Sequence, residues 1–393
     1  MSTAPTHPRQ TTAHSENGHA ETPNGLQDLH LQKKIERKHE AGLLRTLLTT
    51  EGRIDFSSND YFGLSKHEAL GQAAHNTLTA GATGSRSISG NSKLAEETEA
   101  GIARFHHRQA ALIFNSGYMA NCGLFSCLAD RGDTYIADEL IHASIIDGMR
   151  LSHANRLRFR HNDIEDLERK LHNTFGKKII VVESVYSMDG DTAPLDEIVR
   201  LCKKHRALLI VDEAHGTGVF GEQGEGLVAA LGLENDVYAC IHTFGKALGL
   251  HGAAITGSRI LRQYLINHAR SFIYTTALPP HAYVQIQEAY KLITTADRRA
   301  LQDRISYFRN CAASLPQWRF LNSTTPIQGI LPENNRQTRE LAEHLFRQGF
   351  FVKAILPPSV PAGKERIRIC LHSFNTEEEI GALFNALRLF KPD

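Results

Sequence analysis

The feature that most constrains this chain is an alternation through its centre. Short apolar runs at Ala110–Phe114, Thr134–Ala137, Arg156–Phe159, Lys178–Glu183, Ala207–Asp212 and Ala239–His242 are separated by charged, periodic stretches such as Asp163–Asn173 and Leu195–His205. Strand followed by helix, repeated, predicts an α/β fold: a mostly parallel sheet covered by helices on both faces. In such sheets ligands bind beyond the carboxyl ends of the strands. The loops that follow these runs are therefore where chemistry is expected.

Beyond Leu278–Pro279–Pro280 the pattern changes. One long helix is expected over about Ala282–Leu315, stopped by Pro316, followed by strands at Pro326–Leu331, Phe350–Ile355 and Arg366–Leu371 and a closing helix at Glu377–Leu389. That is the signature of a smaller α+β C-terminal domain. Upstream, residues 1–25 are polar and read as a disordered tail. A helix is expected near Leu29–Leu48. The resulting division is a tail at 1–25, an N-terminal segment at 26–75, a large domain at 76–285 and a small domain at 286–393.

The 393 residues suffice for two or three domains and a large core. Lys plus Arg number 44 against 43 Asp plus Glu, which excludes the basic excess of a nucleic-acid-binding protein. No apolar run approaches the roughly 18–20 residues of a membrane span. The N-terminus also lacks the apolar core of a secretory signal. Six cysteines are too few for a disulfide scaffold, and Cys122 and Cys127 have no second pair to complete a zinc site. A reducing cytoplasm is the expected setting.

The run Ala207–Asp212 continues as Asp212-Glu213-Ala214-His215-Gly216-Thr217-Gly218. A carboxylate at the end of a buried strand needs a cation or donors. Taken alone, Asp212 reads equally as a helix cap or structural ion pair; with His215 it lacks a third ligand for a metal. At the next strand end comes Thr243-Phe244-Gly245-Lys246. A lysine among small and apolar residues loses charge by desolvation and gains nucleophilicity. The combination of acid, histidine and lysine fits pyridoxal phosphate, which needs an amine for its aldehyde and an acid for its ring nitrogen. Phosphate donors are available in Asn115-Ser116-Gly117-Tyr118-Met119-Ala120-Asn121, where Gly117 and Tyr118 open a helix. Gly81-Ala82-Thr83-Gly84 lacks the Gly-x-Gly-x-x-Gly spacing of a dinucleotide site. His142 and Ser187 follow two further strand ends; alone they read as a hydrogen-bonded histidine and a turn serine.

Taken together, Asp55–Leu64 (DFSSNDYFGL), Asn115–Asn121, His142–Ser144, Arg158–Asp163 (RFRHND), Tyr186–Asp191 (YSMDGD), Asp212–Gly218, Thr243–Lys246 and Tyr274–Pro280 (YTTALPP) closely resemble the α-oxoamine synthases, in family order over about residues 30 to 393. The resemblance implies a fold-type I pyridoxal-phosphate transferase, with a mostly parallel seven-stranded sheet in the large domain. It also implies roles. Lys246 would hold the cofactor covalently, Asp212 would pair with its ring nitrogen and His142 would stack on the ring. His215 and Ser187 would bond near the ring oxygen. Gly117, Tyr118 and Thr243 would bind phosphate, with Thr275 and Thr276 reaching in from a second subunit of a homodimer. Arg368 would hold the amino-acid carboxylate, Asn59 and Ser359 would lie near the substrate, and Arg45 would contact the acyl chain or product. The implied reaction joins an amino acid, expected to be L-alanine, to a pimeloyl thioester of coenzyme A or acyl carrier protein with loss of carbon dioxide, in biotin biosynthesis. Glycine or serine with another acyl-CoA is the alternative, and a non-catalytic scaffold the remaining one.

Overall fold

The computed structural model describes residues 25–45, 47, 49, 52–75, 77 and 79–391, residues 25–27 by backbone only. The chain divides into two units, residues 1–49 and 50–393. In the first, a helix spans Gly25–Glu40. It stops short of the expected end near Leu48 because Gly42 turns left-handed, at φ 64°, and the Leu43 N–H closes back on the Lys38 carbonyl. The expected tail lies outside the described residues apart from Gly25.

In the second unit, strand β1 (Ile54–Asp55) precedes the main sheet. That sheet comprises β2 (Ala110–Phe114), β3 (Thr134–Asp138), β4 (Asn155–Phe159), β5 (Lys178–Glu183), β6 (Leu208–Asp212), β7 (Ala239–Thr243) and β8 (Ala253–Gly257). Their spatial order is β2-β8-β7-β6-β5-β3-β4. All pairings are parallel except those of β8, which runs against both β2 and β7. Alternate residues feed two cores. Tyr135, Ile179, Val181 and Ile210 face one; Ile136, Ile180, Val182 and Val211 face the other. The crossover helices Ile164–His172 and Leu195–His205 are amphipathic and charge-sorted. Leu195–His205 buries Ile198, Val199 and Cys202, carries Asp196 and Glu197 in its first turn, and has Lys203, Lys204 and His205 in its last.

The later segment forms β9 (Arg319–Phe320), β10 (Ile327–Leu331), β11 (Phe350–Phe351), β12 (Lys353–Ile355) and β13 (Arg366–Cys370). Four of these make an antiparallel sheet in the order β12-β13-β10-β9, and β11 pairs in parallel with β1. The single strand expected at Phe350–Ile355 is thus two, each with a different partner. The single helix expected at Ala282–Leu315 is also two, Pro280–Thr294 and Arg298–Ala313. Asp297 caps the second by accepting from the Ala300 N–H. The closing helix Glu377–Leu389 carries a capping box between Thr376 and Glu379.

Candidate active site

The carboxyl ends of β3, β5, β6 and β7 open onto a cavity of ≈ 260 Å³. Its walls bring together Asn59, Gly117, Tyr118, His142, Asp212, His215, Thr243 and Lys246 from the sequence reading, and add Asn121, Ser144, Glu183 and His251.

Lys246 follows β7 on the turn that leads back into β8. Its Nζ lies 3.4 Å from the Thr243 hydroxyl. Burial lowers the amine's pKa below the ordinary lysine value, although Asp212 and Glu183 pull the other way. Asp212 ends β6, 3% exposed. One of its oxygens accepts from the Ala214 N–H at 2.9 Å and the other from the Asn121 side chain at 3.0 Å. The neighbouring strand ends in a second acid, Glu183, in register with Asp212. Burial, and then the charge of Asp212, push the Glu183 carboxyl well above its usual range. The Glu183 carboxyl beside Asp212 thus favours its protonated form.

His215 is buried and bonded through Nδ1 to the Tyr61 hydroxyl at 2.6 Å. Burial first, then Lys246 and Arg368, hold its imidazole well below the ordinary value, so it is neutral. His142 exposes its ring and lines the cavity, with Nδ1 turned to Ser144 at 2.7 Å. Desolvation lowers its pKa and Lys246 adds to this, while Asp212 opposes it.

At the other end, Ser116 caps the helix Gly117–Cys127 by accepting from the Met119 N–H. The free N–H groups of the first turn make an anion site beside Thr243. A Cβ on Gly117 would meet the Thr243 methyl at 2.5 Å, so this close approach admits only glycine. Amine, acid and anion site around one cavity fit pyridoxal phosphate.

Arg368, on β13, is buried. Its guanidinium donates to the Ser187 carbonyl at 2.7 Å and Asn59 Oδ1 at 2.9 Å, with Cys370 Sγ at 2.9 Å. Ser187 meets it through its main chain. Ser187, Arg368, Thr275, Thr276 and Ser359 do not line this cavity. Thr276 offers its carbonyl to Asn115 Nδ2 at 2.9 Å, and Ser359 is exposed. Arg45 is exposed and belongs to the N-terminal unit.

Sequence reasoning passed over Tyr61, Asn121 and Glu183. Each had a signal. Tyr61 and Asn121 stand inside the quoted motifs, and Asn121 is one helical turn beyond Gly117, hence on its face. Glu183 ends an apolar run as Asp212 does.

The family model for aminotransferase class I and II matches residues 51–387, and the chain belongs to that family. Within it the chain is most akin to the α-oxoamine synthases. It is 42% identical over 374 residues to the 8-amino-7-oxononanoate synthase of Marinobacter nauticus, covering 90% of this chain and 94% of that one. Among solved structures, it is similar to the 8-amino-7-oxononanoate synthase of Francisella tularensis, with a TM-score of 0.75, 31% identity and coverage of 86% and 97%. It is also similar to the serine palmitoyltransferase of S. paucimobilis with a bound PLP–myriocin aldimine, with a TM-score of 0.84, 28% identity and coverage of 92% and 98%.

Proposed function

We propose that this chain catalyses the reaction of the 8-amino-7-oxononanoate synthases: L-alanine and a pimeloyl thioester yield 8-amino-7-oxononanoate, carbon dioxide and the free thiol. The observation that carries it is the desolvated Lys246 amine facing Asp212 in one cavity, in a chain 42% identical to such a synthase. Pyridoxal phosphate is the cofactor. When bound, it accepts the electron pair left at the amino acid's α-carbon.

The chain's residues divide the remaining work. Asp212 would pair with the cofactor's ring nitrogen. Neutral His215 and Ser187 bond at the ring oxygen. Gly117, Tyr118 and Thr243 take the phosphate, joined by Thr275 and Thr276 of a second copy in a homodimer. Arg368 holds the alanine carboxylate, because a planar fork matches two oxygens. With its pKa lowered, Lys246 is free to accept the α-proton and return it after decarboxylation. His142 would stack on the cofactor's ring and orient a substrate oxygen. Asn59 and Ser359 would lie near the substrate. The domains would divide at residues 76–285 and 286–393. Six free cysteines accord with a cytoplasmic setting.

A serine palmitoyltransferase-like reaction is the second reading, favoured by the TM-score of 0.84. A product assay separates the two. L-alanine, glycine and L-serine are crossed with pimeloyl-, acetyl-, succinyl- and palmitoyl-CoA and with pimeloyl acyl carrier protein, reading thiol and product mass, with Lys246→Ala as control. Alanine with a pimeloyl thioester is expected to dominate. Preference for serine with palmitoyl-CoA would overturn the substrate assignment. No reaction with any pair would overturn the enzymatic reading.

A further inference from the structure

Four side chains form a hydrogen-bonded chain along the cavity wall. Asn121 Nδ2 lies 3.0 Å from Asp212 Oδ2 and 2.9 Å from Ser144 Oγ, and Ser144 Oγ lies 2.7 Å from His142 Nδ1. Asn121 and Ser144 are buried, 2% and 1% exposed.

Elementary donor and acceptor counting fixes the direction of every link. A carboxylate only accepts, so the nitrogen end of the Asn121 amide must face Asp212. Its two hydrogens go to Asp212 and to Ser144. This choice leaves Asn121 Oδ1 buried without a partner among the described residues, an arrangement otherwise costly. The Ser144 backbone N–H lies 3.2 Å from the same His142 Nδ1. That N–H can only donate, so Nδ1 carries a lone pair and no hydrogen. The Ser144 hydroxyl accepts from Asn121 and has its own hydrogen to give, also to Nδ1. The ring's one hydrogen is therefore on Nε2, which has no protein hydrogen bond among the described residues.

We propose that Asn121 and Ser144 are positioning residues that lock His142 in its neutral Nε2–H form, so that it presents a hydrogen-bond donor to the cavity and is tied through Asn121 to the Asp212 carboxylate. This deepens the functional reading above and rests on it. His142 then recognises an oxygen acceptor, a carbonyl or carboxylate of substrate, and is not a resting-state base. Asp212 and His142 are thereby linked through two buried side chains.

The test is nitrogen NMR of the holoenzyme labelled with ¹⁵N-histidine, the His142 signals being those lost in His142→Gln. Wild type is expected to show an unprotonated Nδ1 and a protonated Nε2. Ser144→Ala keeps the backbone N–H on Nδ1 but loses the hydroxyl's bond, so both signals should move part of the way toward those of the other tautomer, and Ser144→Thr, which keeps the hydroxyl, should restore them. Asn121→Leu should shift them in the same direction as Ser144→Ala. In kinetics, Ser144→Ala should lower kcat about tenfold with the amino-acid KM unchanged, as loss of one buried hydrogen bond predicts. A protonated Nδ1 or a charged ring in wild type overturns the proposal, as do unchanged signals in Ser144→Ala. The wild-type spectrum decides even where a variant fails to fold. A failed substrate panel with the tautomer as described would remove the functional reading and leave the lock standing; the reverse result removes only the lock.

Discussion

His161 offers the sharpest quantitative test. It sits in the turn after β4 with both ring nitrogens engaged. Nδ1 lies 3.0 and 3.1 Å from the two oxygens of Asp138, whose side chain is fully buried, and Nε2 lies 2.7 Å from Asp191. Burial alone would lower its pKa, but the two carboxylates outweigh burial and push it up to about 10 from 6.5. The two values differ by about 5 kcal/mol in favour of the charged ring. The His161 side chain is 21% exposed and Asp191 31%, and solvent screening brings this to about 3 kcal/mol, which matches the usual cost of removing one partner of a buried pair.

A raised folded-state pKa sets the sign. The contribution is complete below about pH 6.5 and falls by about 1.4 kcal/mol per pH unit above it, so that the discounted 3 kcal/mol is gone near about pH 9. Urea unfolding of wild type and His161→Gln at fixed protein concentration, from pH 6 to pH 10, should show a gap of about 3 kcal/mol at pH 6 that closes as pH rises. A gap independent of pH, or one that widens with pH, refutes the reasoning. The clamp bears on function because Asp191 closes the loop that carries Ser187, whose carbonyl receives Arg368.

Three further substitutions probe the cavity. Gly117→Ala drives a methyl to 2.5 Å from Thr243, and overpacking of about 1–3 kcal/mol should weaken pyridoxal phosphate binding at least about fivefold, read by absorbance titration. Arg368→Lys keeps the charge but loses the fork to Ser187 and Asn59; kcat/KM for the amino acid should fall about a hundredfold in steady-state assays. Tyr61→Phe strips His215 of its 2.6 Å partner in a buried place, and a loss of about 1–3 kcal/mol should appear in thermal or urea unfolding.

The parallel core was legible because its strands are compact apolar runs with periodic helices between them: β2 and β5 and the helices Leu195–His205 and Glu377–Leu389 have the residue limits read from sequence. Strand β8 was not. Ala-Ala-Ile-Thr-Gly has little bulk and no alternation, and it is extended because it is paired on both sides, by β2 and by β7. The break after Thr294 was missed for a related reason. No glycine or proline marks it, and the Asp297 cap looks like any surface aspartate until its amide partner is placed. Lys246, Asp212 and His215 could be named from local spacing. Glu183 could not, because what distinguishes it from a strand-end carboxylate on a surface is the acid in register with it on the next strand.

The reversed strand β8 has a consequence for the lysine's reach. In a parallel sheet the chain leaving β7 would cross to the far end through a helix. Here it turns back at the cavity end, and residues 244–252 alone join β7 to β8. The turn is closed on itself: the Phe244 N–H donates to the Gly252 carbonyl, the Leu250 N–H to the Phe244 carbonyl and the Gly249 N–H to the Lys246 carbonyl. At Gly249, φ is 64° and any Cβ would strike Ser65. Lys246 is thus a flexible side chain on a rigid tether, confined to a small volume at the cavity. Its amine acts at a local concentration no free base in solution attains, with effective molarities for such tethered groups reaching about 10⁵ M and beyond. An added primary amine should therefore restore only a small fraction of the activity lost in Lys246→Ala, even where it fits the space the side chain leaves.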